Sequence, residues 1–289
     1  MGKEYQMNLT DLSCVRDIMH RHGIAPQKRY GQNFLINPTV VSRIADTCAD
    51  ENAGVIEIGP GIGTLTRELS PRFRKVVALE IDTSLIPVLE ETLADLDNVK
   101  VINADAMKIN LADLVREEFA DMPVYVCANL PYYITSPIVM SLLEAGGIFE
   151  AVTVMIQKEV ADRFCASAGS ADYGAITLAV NYYSDVEKCF NVAPGNFMPP
   201  PKVTSSVIRM NIRKEPPVSV RDKENMFRMI RAAFTCRRKT LVNALCTSSP
   251  KCGKEEVIHI LTKLGYDPNI RGERLSLSDY AHISDELTV

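Results

Sequence analysis

The run Asn129-Leu130-Pro131-Tyr132 combines residue types that could hold a flat ring carrying an amino group. It follows an apolar stretch, residues 124–128, which predicts a buried strand. Asn129 offers a side-chain carbonyl, and Pro131 stiffens the turn and pushes Leu130 toward extended backbone. Backbone carbonyls are thereby directed toward a ligand, and Tyr132 offers a stacking face. This set favours methylation of adenine N6; the alternative is a polar strand end followed by an ordinary proline turn.

A second set of candidate residues lies at the ends of three other predicted strands. Gly59 and Gly61 belong to a G-x-G-x-G turn, where a ligand can approach the backbone closely. Thr64 stands where a dinucleotide-binding fingerprint needs its third glycine, which disfavours a pyrophosphate cradle. Glu80 could accept both ribose hydroxyls, and Asp105 could accept a hydrogen bond from an adenine amine. Acidic strand ends suit a positively charged nucleoside, so we expect S-adenosyl-L-methionine (SAM) as cofactor, not NAD.

These residues need a frame that brings strand ends together. Short β-branched runs alternate with helical segments from residue 54 onward, which predicts an α/β fold with a doubly wound parallel sheet. The predicted strands, buried on both faces, are 55–58, 76–80, 99–103, 124–128 and 152–156, with two more near 185–192 and 203–212. The predicted helices are 8–22, one capped by Asn37 with Pro38 at its first position, 62–70, 83–95, 110–119, 136–145, 222–235, 237–246, 254–264 and 276–286. We therefore expect a domain at 1–213, with an N-terminal helical arm, and a helical domain at 218–289.

Composition narrows the class of protein. No apolar run approaches the roughly 20 residues that span a bilayer, and the first ten residues lack the apolar segment of a signal peptide. The expectation is a cytoplasmic protein with no membrane partner. The eight cysteines include no C-x-x-C pair, so we expect reduced thiols and no metal site.

Basic side chains are concentrated in two segments of an acidic chain. The formal charge is −7 over residues 1–213 and +3 over residues 214–289. Lys28 and Arg29 lie in a basic loop, and Arg237, Arg238 and Lys239 lie near the start of a predicted helix in a tract without acids. These clusters predict phosphate contacts; the alternative is a pair of solvated helix faces.

Motifs over nearly the whole chain resemble the rRNA adenine N6-dimethyltransferase family, most closely its small-subunit (16S) members. The matching stretches are QNFLINPTVV (32–41), EIGPGIGTLT (57–66), NADAM (103–107), NLPYYITSPI (129–138), VMIQKEVADR (154–163), DYGAITL (172–178), NFMPPPKVTSSVIRM (196–210) and AAFTCRRKTLVNAL (232–245). Each motif alone is unspecific, but their order and number are highly specific. One small departure is Thr204, where an Asp is commoner.

The resemblance implies a class I SAM-dependent methyltransferase, Rossmann-like, with a small all-helical C-terminal domain that binds RNA. It implies that Asn33 and Leu35 close over the methionine end of SAM. It also implies that Gly59 and Gly61 line the backbone-contact turn, while Glu80 holds the ribose.

For the target base, the resemblance implies that Asn129 and the carbonyl of Pro131 hold N6. Tyr132 and Phe197 would stack on the target ring, while Asp105 would hold the adenine amine of the cofactor. Phe197 could instead be a core residue, but its setting in the stiff run NFMPPP favours a role in the site.

The implied activity is dimethylation of two adjacent adenosines in the 3′-terminal hairpin loop of small-subunit rRNA. The implied partner is a pre-30S particle late in subunit maturation, and we expect a monomer. Three alternatives stay open: a large-subunit rRNA dimethylase of the macrolide-resistance type, a non-catalytic assembly factor, and a protein or small-molecule amine methylase. The extended NFMPPPKV segment and the long N-terminal arm favour the small-subunit enzyme, and the intact NLPY run opposes the assembly factor.

Overall fold

The computed structural model describes residues 7–27, 31–249 and 253–289. The helices and strands of these residues are, in chain order, α1 (Leu12–Arg21), β1 (Phe34–Leu35), α2 (Pro38–Cys48), β2 (Asp50–Ile58), α3 (Thr64–Leu69), β3 (Phe73–Glu80), α4 (Ile86–Thr92), β4 (Val99–Asn103), α5 (Leu111–Phe119), β5 (Val124–Asn129), α6 (Thr135–Glu144), β6 (Ala151–Gln157), α7 (Lys158–Phe164), α8 (Ala175–Tyr183), β7 (Ser184–Val192), β8 (Phe197–Met198), β9 (Ser205–Ile212), α9 (Lys223–Thr235), α10 (Leu241–Ser248), α11 (Lys254–Lys263) and α12 (Leu277–Glu286).

Seven strands form one mixed sheet in the order β4-β3-β2-β5-β6-β9-β7. The five strands from β4 to β6 run parallel, and β9 runs antiparallel to β6. The predicted fold class is therefore confirmed, with the qualification that the sheet is mixed. The chain passes from β2 to β3 and β4 on one side and reaches β5 and β6 on the other. Such a reversal opens a crevice at the carboxyl ends of the strands, beside the central strand β2.

The strands that carry the candidate residues lie where the sequence predicts them. β2 and β3 begin five and three residues earlier than predicted, and β5 ends one residue later. The central residues of all three strands are fully buried. β4 was expected to be buried on both faces, and this is wrong: none of its residues is buried. The reason is its place at the edge of the sheet, where only β3 pairs with it.

Several short elements escape sequence reasoning. β1 and β8 are two-residue strands that pair antiparallel, with Leu35 opposite Phe197. Helices α7 and α8 were also not predicted, whereas the cap of α2 was. Asn37 accepts hydrogen bonds from the backbone N–H groups of Thr39 and Val40, at 3.0 and 3.4 Å, and Pro38 occupies the first helical position.

The described chain divides into two compact units. The first comprises the residues up to Ala161 together with Glu187–Ile212, and the second comprises Asp162–Val186 with Arg213–Val289. The expected domains at 1–213 and 218–289 remain a prediction; the observed units differ from them in that residues 162–186 group with the C-terminal helices. In the second unit, residues of α8 to α12 share one apolar cluster that includes the fully buried ring of Tyr280.

Within the described residues, no helix is both long enough and apolar enough to cross a membrane. The described cysteines, which leave out Cys252, form no disulfide.

The central strand β2 contains a glycine that has no room for a side chain. A Cβ placed on Gly54 would lie 2.1 Å from Cδ1 of Phe119. Phe119 ends α5 and is fully buried, so its ring cannot move without opening the core. Gly54 thus lets α5 pack directly on the backbone of the sheet.

We expect Gly54→Ala to lower the free energy of unfolding by about 1–3 kcal/mol, because the added methyl group overpacks the core against Phe119. Urea denaturation followed by circular dichroism measures this change. Gly147→Ala is the matched control, since a Cβ at Gly147 meets no atom within 4 Å. Equal stabilities of the two variants would contradict the packing argument.

Candidate active site

A pocket open to solvent lies where β2, β3 and β5 end. Four segments of the first unit line it: residues 31–35 of the N-terminal arm, Glu57 and the turn after β2, Glu80 and Ile81 after β3, and residues 129–133 after β5. The structure thus brings the NLPY run and the predicted cofactor residues other than Asp105 to one cavity.

The glycine turn after β2 forms one wall of the pocket. Gly61 has φ +61°, a left-handed backbone conformation that residues other than glycine rarely adopt. A Cβ at Gly61 would also lie 3.1 Å from the ring of Phe34. The turn therefore needs glycine both for its backbone shape and for the close approach of the arm. Gly59, the other glycine predicted to contact the cofactor, also lines the pocket.

Glu80 lies at the end of β3 and is 4% exposed. Its two carboxylate oxygens accept hydrogen bonds from the backbone N–H groups of Asp82, at 2.8 Å, and Gly61, at 3.3 Å. Burial raises the pKa of Glu80, while these two N–H groups oppose the rise. The carboxylate is therefore fixed in place before any ligand binds.

Glu57, within β2, is a pocket residue to which sequence reasoning assigned no role. It is 1% exposed, and its Oε2 has no hydrogen-bond partner among the described residues. Burial raises the pKa of Glu57 to about 8; the neighbouring Thr66 hydroxyl opposes this rise and the charge of Glu80 adds to it. The hydroxyls of Thr64 and Thr66 are buried without partners as well. The signal in the sequence is an acidic residue inside the apolar run of residues 53–58.

Two buried carboxyl groups, one of which has an oxygen without a partner, suit a ligand that carries positive charge and hydrogen-bond donors. SAM has both, in its sulfonium and its ammonium group. The residues present therefore fit SAM, and this fit rests on Glu57 and Glu80.

The N-terminal arm is tied to both sides of the pocket. Gln32 and Gln27 donate side-chain hydrogen bonds to Oδ2 of Asp82, at 3.0 and 3.1 Å. Asn33 donates to the carbonyl of Gly31 at 2.9 Å. The bonds to Asp82 fix the arm beside the end of β3, and Asn33 and Leu35 lie in the pocket lining. Their predicted role over the methionine end of SAM remains a prediction.

Asn129 connects the arm to the NLPY run. Its Nδ2 donates to the backbone carbonyl of Asn33 at 3.1 Å. Because the amide nitrogen is engaged there, the orientation of the carboxamide is fixed. Its Oδ1 accepts no hydrogen bond from a described residue, and so keeps its capacity to accept one from a ligand.

The backbone carbonyls of the NLPY run differ in whether they are free to accept a hydrogen bond from a ligand. The carbonyl of Pro131, which the resemblance assigned to the target N6, accepts bonds from the N–H of Ile134 at 3.3 Å and the hydroxyl of Thr135 at 3.1 Å. Both of its lone pairs are therefore engaged at the start of α6. The carbonyl of Leu130 accepts no bond from a described residue. The structure thus favours Leu130 over Pro131 as the second acceptor.

Tyr132 is held in place by a contact that the sequence did not predict. Its hydroxyl lies 2.7 Å from Oγ of Ser205, the first residue of β9. This bond fixes the ring beside the pocket that Tyr132 lines.

Two predicted site residues do not line the pocket. Phe197 is 3% exposed and packs in an apolar cluster with Leu35, Met155 and Val207. Asp105 accepts a hydrogen bond from the N–H of Met107 at 2.9 Å and lies 3.6 Å from Nζ of Lys108. Their roles at the target ring and the cofactor adenine remain predictions, which this arrangement does not support.

The residues predicted to bind RNA have different settings. Lys28 and Arg29 lie outside the described residues. Arg237 bonds to Glu273 at 2.9 Å and to the carbonyl of Ala171 at 2.8 Å. Arg238 and Lys239 are exposed. All three basic residues lie in the turn before α10, not in the helix predicted to start at residue 237.

The residues that the structure describes contain no group of three or more His, Cys, Asp or Glu side chains that could hold a metal ion.

The mixed sheet and the pocket at its switch point define a class I methyltransferase, with a cofactor half beside β2 and β3 and a target half at the end of β5. Residues 25–287 match the ribosomal RNA adenine dimethylase family. The chain belongs to that family. The predictions of the family, of a class I fold, of adenine dimethyltransferase activity on rRNA and of SAM as cofactor are thereby confirmed.

Individual relatives agree with this assignment. The chain is 45% identical over 277 residues to ribosomal RNA small subunit methyltransferase A of Geobacillus thermodenitrificans, covering 94% of each chain. Among solved structures, it is similar to a dimethyladenosine transferase from Plasmodium falciparum, with TM-score 0.73, 26% identity and coverage of 86% of this chain and 95% of that one. It is also similar to the 23S rRNA methyltransferase ErmE, with TM-score 0.67, 29% identity and coverage of 88% and 99%.

We expect the stability of the protein without cofactor to depend on pH through Glu57. Below the ordinary value of 4.5, Glu57 is protonated whether folded or unfolded; between 4.5 and about 8, only the unfolded chain loses the proton. The free energy of unfolding therefore falls as pH rises through this window, by about 1.4 kcal/mol per pH unit, and levels off above it. Glu57→Gln removes this contribution, so its stability gain over the parent should grow between pH 5 and 8.

Urea denaturation at fixed pH values measures both profiles. Glu51→Gln, which removes an exposed carboxyl group, is the control and should leave the profile unchanged. Parallel profiles for the parent and Glu57→Gln would contradict the buried, unpartnered state of Glu57.

Proposed function

We infer that this chain transfers methyl groups from SAM to adenosine N6 in small-subunit rRNA and forms N6,N6-dimethyladenosine. The observation that carries the chemistry is the pair of unused acceptors at the end of β5, Oδ1 of Asn129 and the carbonyl of Leu130, in the lining of the cofactor pocket. Two acceptors match the two hydrogens of an exocyclic amine.

The choice of the small subunit rests on the relatives. The chain is 45% identical to a small-subunit methyltransferase over 94% of its length, but 29% identical to the 23S rRNA methyltransferase. The same fold serves both, so the difference in sequence identity, not the shape of the fold, favours the small-subunit substrate.

The target half prepares a poor nucleophile for reaction. The lone pair of adenine N6 is delocalised into the ring. When Asn129 Oδ1 and the Leu130 carbonyl accept the two N6 hydrogens, they favour a pyramidal nitrogen whose lone pair points into the cofactor half. Bound SAM would supply a methyl group from its positively charged sulfur, which would become a neutral thioether, and the amine proton would leave to water.

Positioning supplies much of the rate of such a reaction, so no strong base is needed. The target half agrees with this, because the run from Asn129 to Tyr133 contains no His, Cys or carboxylate. The second methylation starts from an amine with one hydrogen, so one of the two acceptors is then enough.

On the cofactor side, Glu80 would accept the ribose hydroxyls, while Gly59 and Gly61 would allow close backbone contact. Asn33 and Leu35 would cover the methionine end, and the unpartnered Oε2 of Glu57 adds an acceptor beneath it. Asp105 would reach the adenine amine only after giving up its contact with the N–H of Met107.

The target base must leave its stack to enter the pocket. An adenosine in a hairpin loop costs less to extrude than a paired one, and stacking on an aromatic ring offsets about 1–3 kcal/mol of that cost. Tyr132, fixed by Ser205, offers its ring in the pocket lining, whereas Phe197 is packed in the core. We propose as targets two adjacent adenosines of the 3′-terminal hairpin, on a pre-30S particle, with the enzyme acting as a monomer.

We expect Asn129→Ala to abolish methyl transfer, with a loss of at least a hundredfold, because it removes one acceptor and releases the arm at Asn33. The measurement is label from methyl-labelled SAM in small subunits purified from cells that lack this protein, with large subunits in parallel. RNA binding should stay near the parent value.

Asn52→Ala, which changes an exposed asparagine far from the pocket lining, is the control and should keep full activity. Full activity of Asn129→Ala would refute the proposed role of Asn129. Label only in the large subunit would refute the proposed substrate.

The exposed cations of the second unit give a separate prediction. Replacing Arg238 and Lys239 by Gln should weaken RNA binding and flatten its salt dependence, by about 0.7–0.9 in log–log slope for each phosphate that the protein no longer neutralises. Arg237→Gln should instead reduce stability, since Arg237 is bonded to Glu273. Binding titrations at several salt concentrations measure the slope, and Lys254→Gln is the control. An unchanged slope would place the phosphate contacts elsewhere.

A further inference from the structure

Tyr133 is an exposed aromatic side chain at the mouth of the pocket. It is 63% exposed, whereas Leu12, Ile81, Met107 and Val203, the other large apolar side chains described as exposed, are 38–47% exposed. Its hydroxyl has no hydrogen-bond partner among the described residues. It lines the pocket beside Tyr132, and the proposed dimethylation gives it no role.

The backbone holds Tyr133 firmly. The carbonyl of Pro131, before Tyr133, accepts hydrogen bonds from the N–H of Ile134 and the hydroxyl of Thr135, after it. These bonds close the turn that contains Tyr133. A Cβ placed on Gly31 would lie 3.6 Å from Cδ1 of the Tyr133 ring, so part of the ring rests against the arm. The remainder of the ring is a rigid apolar surface facing solvent.

Tyr133 lies on the side of the pocket opposite to the proposed cofactor residues after β3. Ile81, the other exposed apolar residue in the pocket lining, follows Glu80 on the cofactor side. Tyr133 lies on the target side, four residues after Asn129. A ring at this point would lie beside an RNA strand whose base entered the pocket from the target side.

A base that turns into a pocket deprives its neighbour of a stacking partner. An exposed aromatic ring replaces that partner, and it does so without regard to base identity, since every base has a π-face. We propose that Tyr133 is the platform on which the base next to the target adenosine stacks while the target occupies the pocket. This rests on the proposed function, and it gives the two adjacent tyrosines separate tasks: Tyr132 contacts the target and Tyr133 contacts its neighbour.

The test compares Tyr133→Ala, Tyr133→Phe and the parent on small subunits from cells lacking this protein. Two forms of the particle are used, one with both adjacent adenosines and one in which the neighbour of the measured target is uridine, a weaker stacking base. We expect Tyr133→Ala to lower kcat/KM on the order of tenfold on the first particle, mainly through KM. Tyr133→Phe should match the parent, because it keeps the ring. SAM affinity, measured by calorimetry, should be the same in all three proteins.

The activities on the two forms of the particle decide whether Tyr133 stacks on the neighbouring base. The parent should lose activity when the neighbour becomes uridine, whereas Tyr133→Ala should be insensitive to the change. Equal losses in the two proteins would overturn the proposal, as would a Tyr133→Phe variant as weak as Tyr133→Ala. Val203→Ala, at an exposed site outside the pocket lining, controls for general loss of apolar surface and should behave as the parent. A parent that labels no small subunit would overturn the proposed function itself, whereas labelling without coupling to the neighbour overturns only the role of Tyr133.

Discussion

The hydrogen bond from the Asn129 carboxamide to the backbone carbonyl of Asn33 is the contact on which the site depends. It joins the N-terminal arm to the end of β5, and residues of both line the pocket. It also fixes which atom of the carboxamide remains available. With Nδ2 engaged, Oδ1 is left to accept a hydrogen bond from a bound amine, and the acceptor needs no reorientation when the base arrives. The residues that we propose for cofactor binding and for target recognition are therefore parts of one connected structure.

Buried carboxyl groups give the cofactor half its character. Glu80 is satisfied by backbone N–H groups, whereas Glu57 keeps an oxygen without a partner. A buried, unpaired acceptor is costly to a folded protein unless a ligand or proton satisfies it. The protein thus carries a local instability in the place where a cationic ligand would relieve it. This is the pattern expected of a functional site, where stability is given up for binding.

Much of the fold follows from sequence, because long β-branched runs and helix caps are local signals. Strands β2, β3 and β5 and the Asn37 cap of α2 are such cases. The two-residue pair of β1 and β8 could not be predicted, since its strands are joined only by contacts between distant parts of the chain. Phe197 illustrates the same limit: its proline-rich surroundings suggested a site residue, but its pairing with Leu35 places it in the core.

The site was predictable to the extent that its residues stand in short motifs. The glycine turn, Glu80, and the run from Asn129 to Tyr132 meet at one pocket as expected. The choice between the carbonyls of Leu130 and Pro131 was not predictable, because it depends on how α6 begins. The anchoring of Tyr132 by Ser205 likewise depends on the antiparallel strand β9, 73 residues further along the chain. The charge of Arg237 predicts a phosphate contact, but its bond to Glu273 is visible only in three dimensions.

The pairing of β1 with β8 has a consequence for synthesis of the protein. Leu35 is held in register by Phe197, and β9, which joins β6 to β7 in the sheet, follows later in the chain. A nascent chain therefore cannot form this strand pair until about two-thirds of it has emerged from the ribosome, although the residues that line the pocket, which end at Tyr133, are made well before that. Chains released before that point have the whole pocket lining but lack the strand that pairs with Leu35.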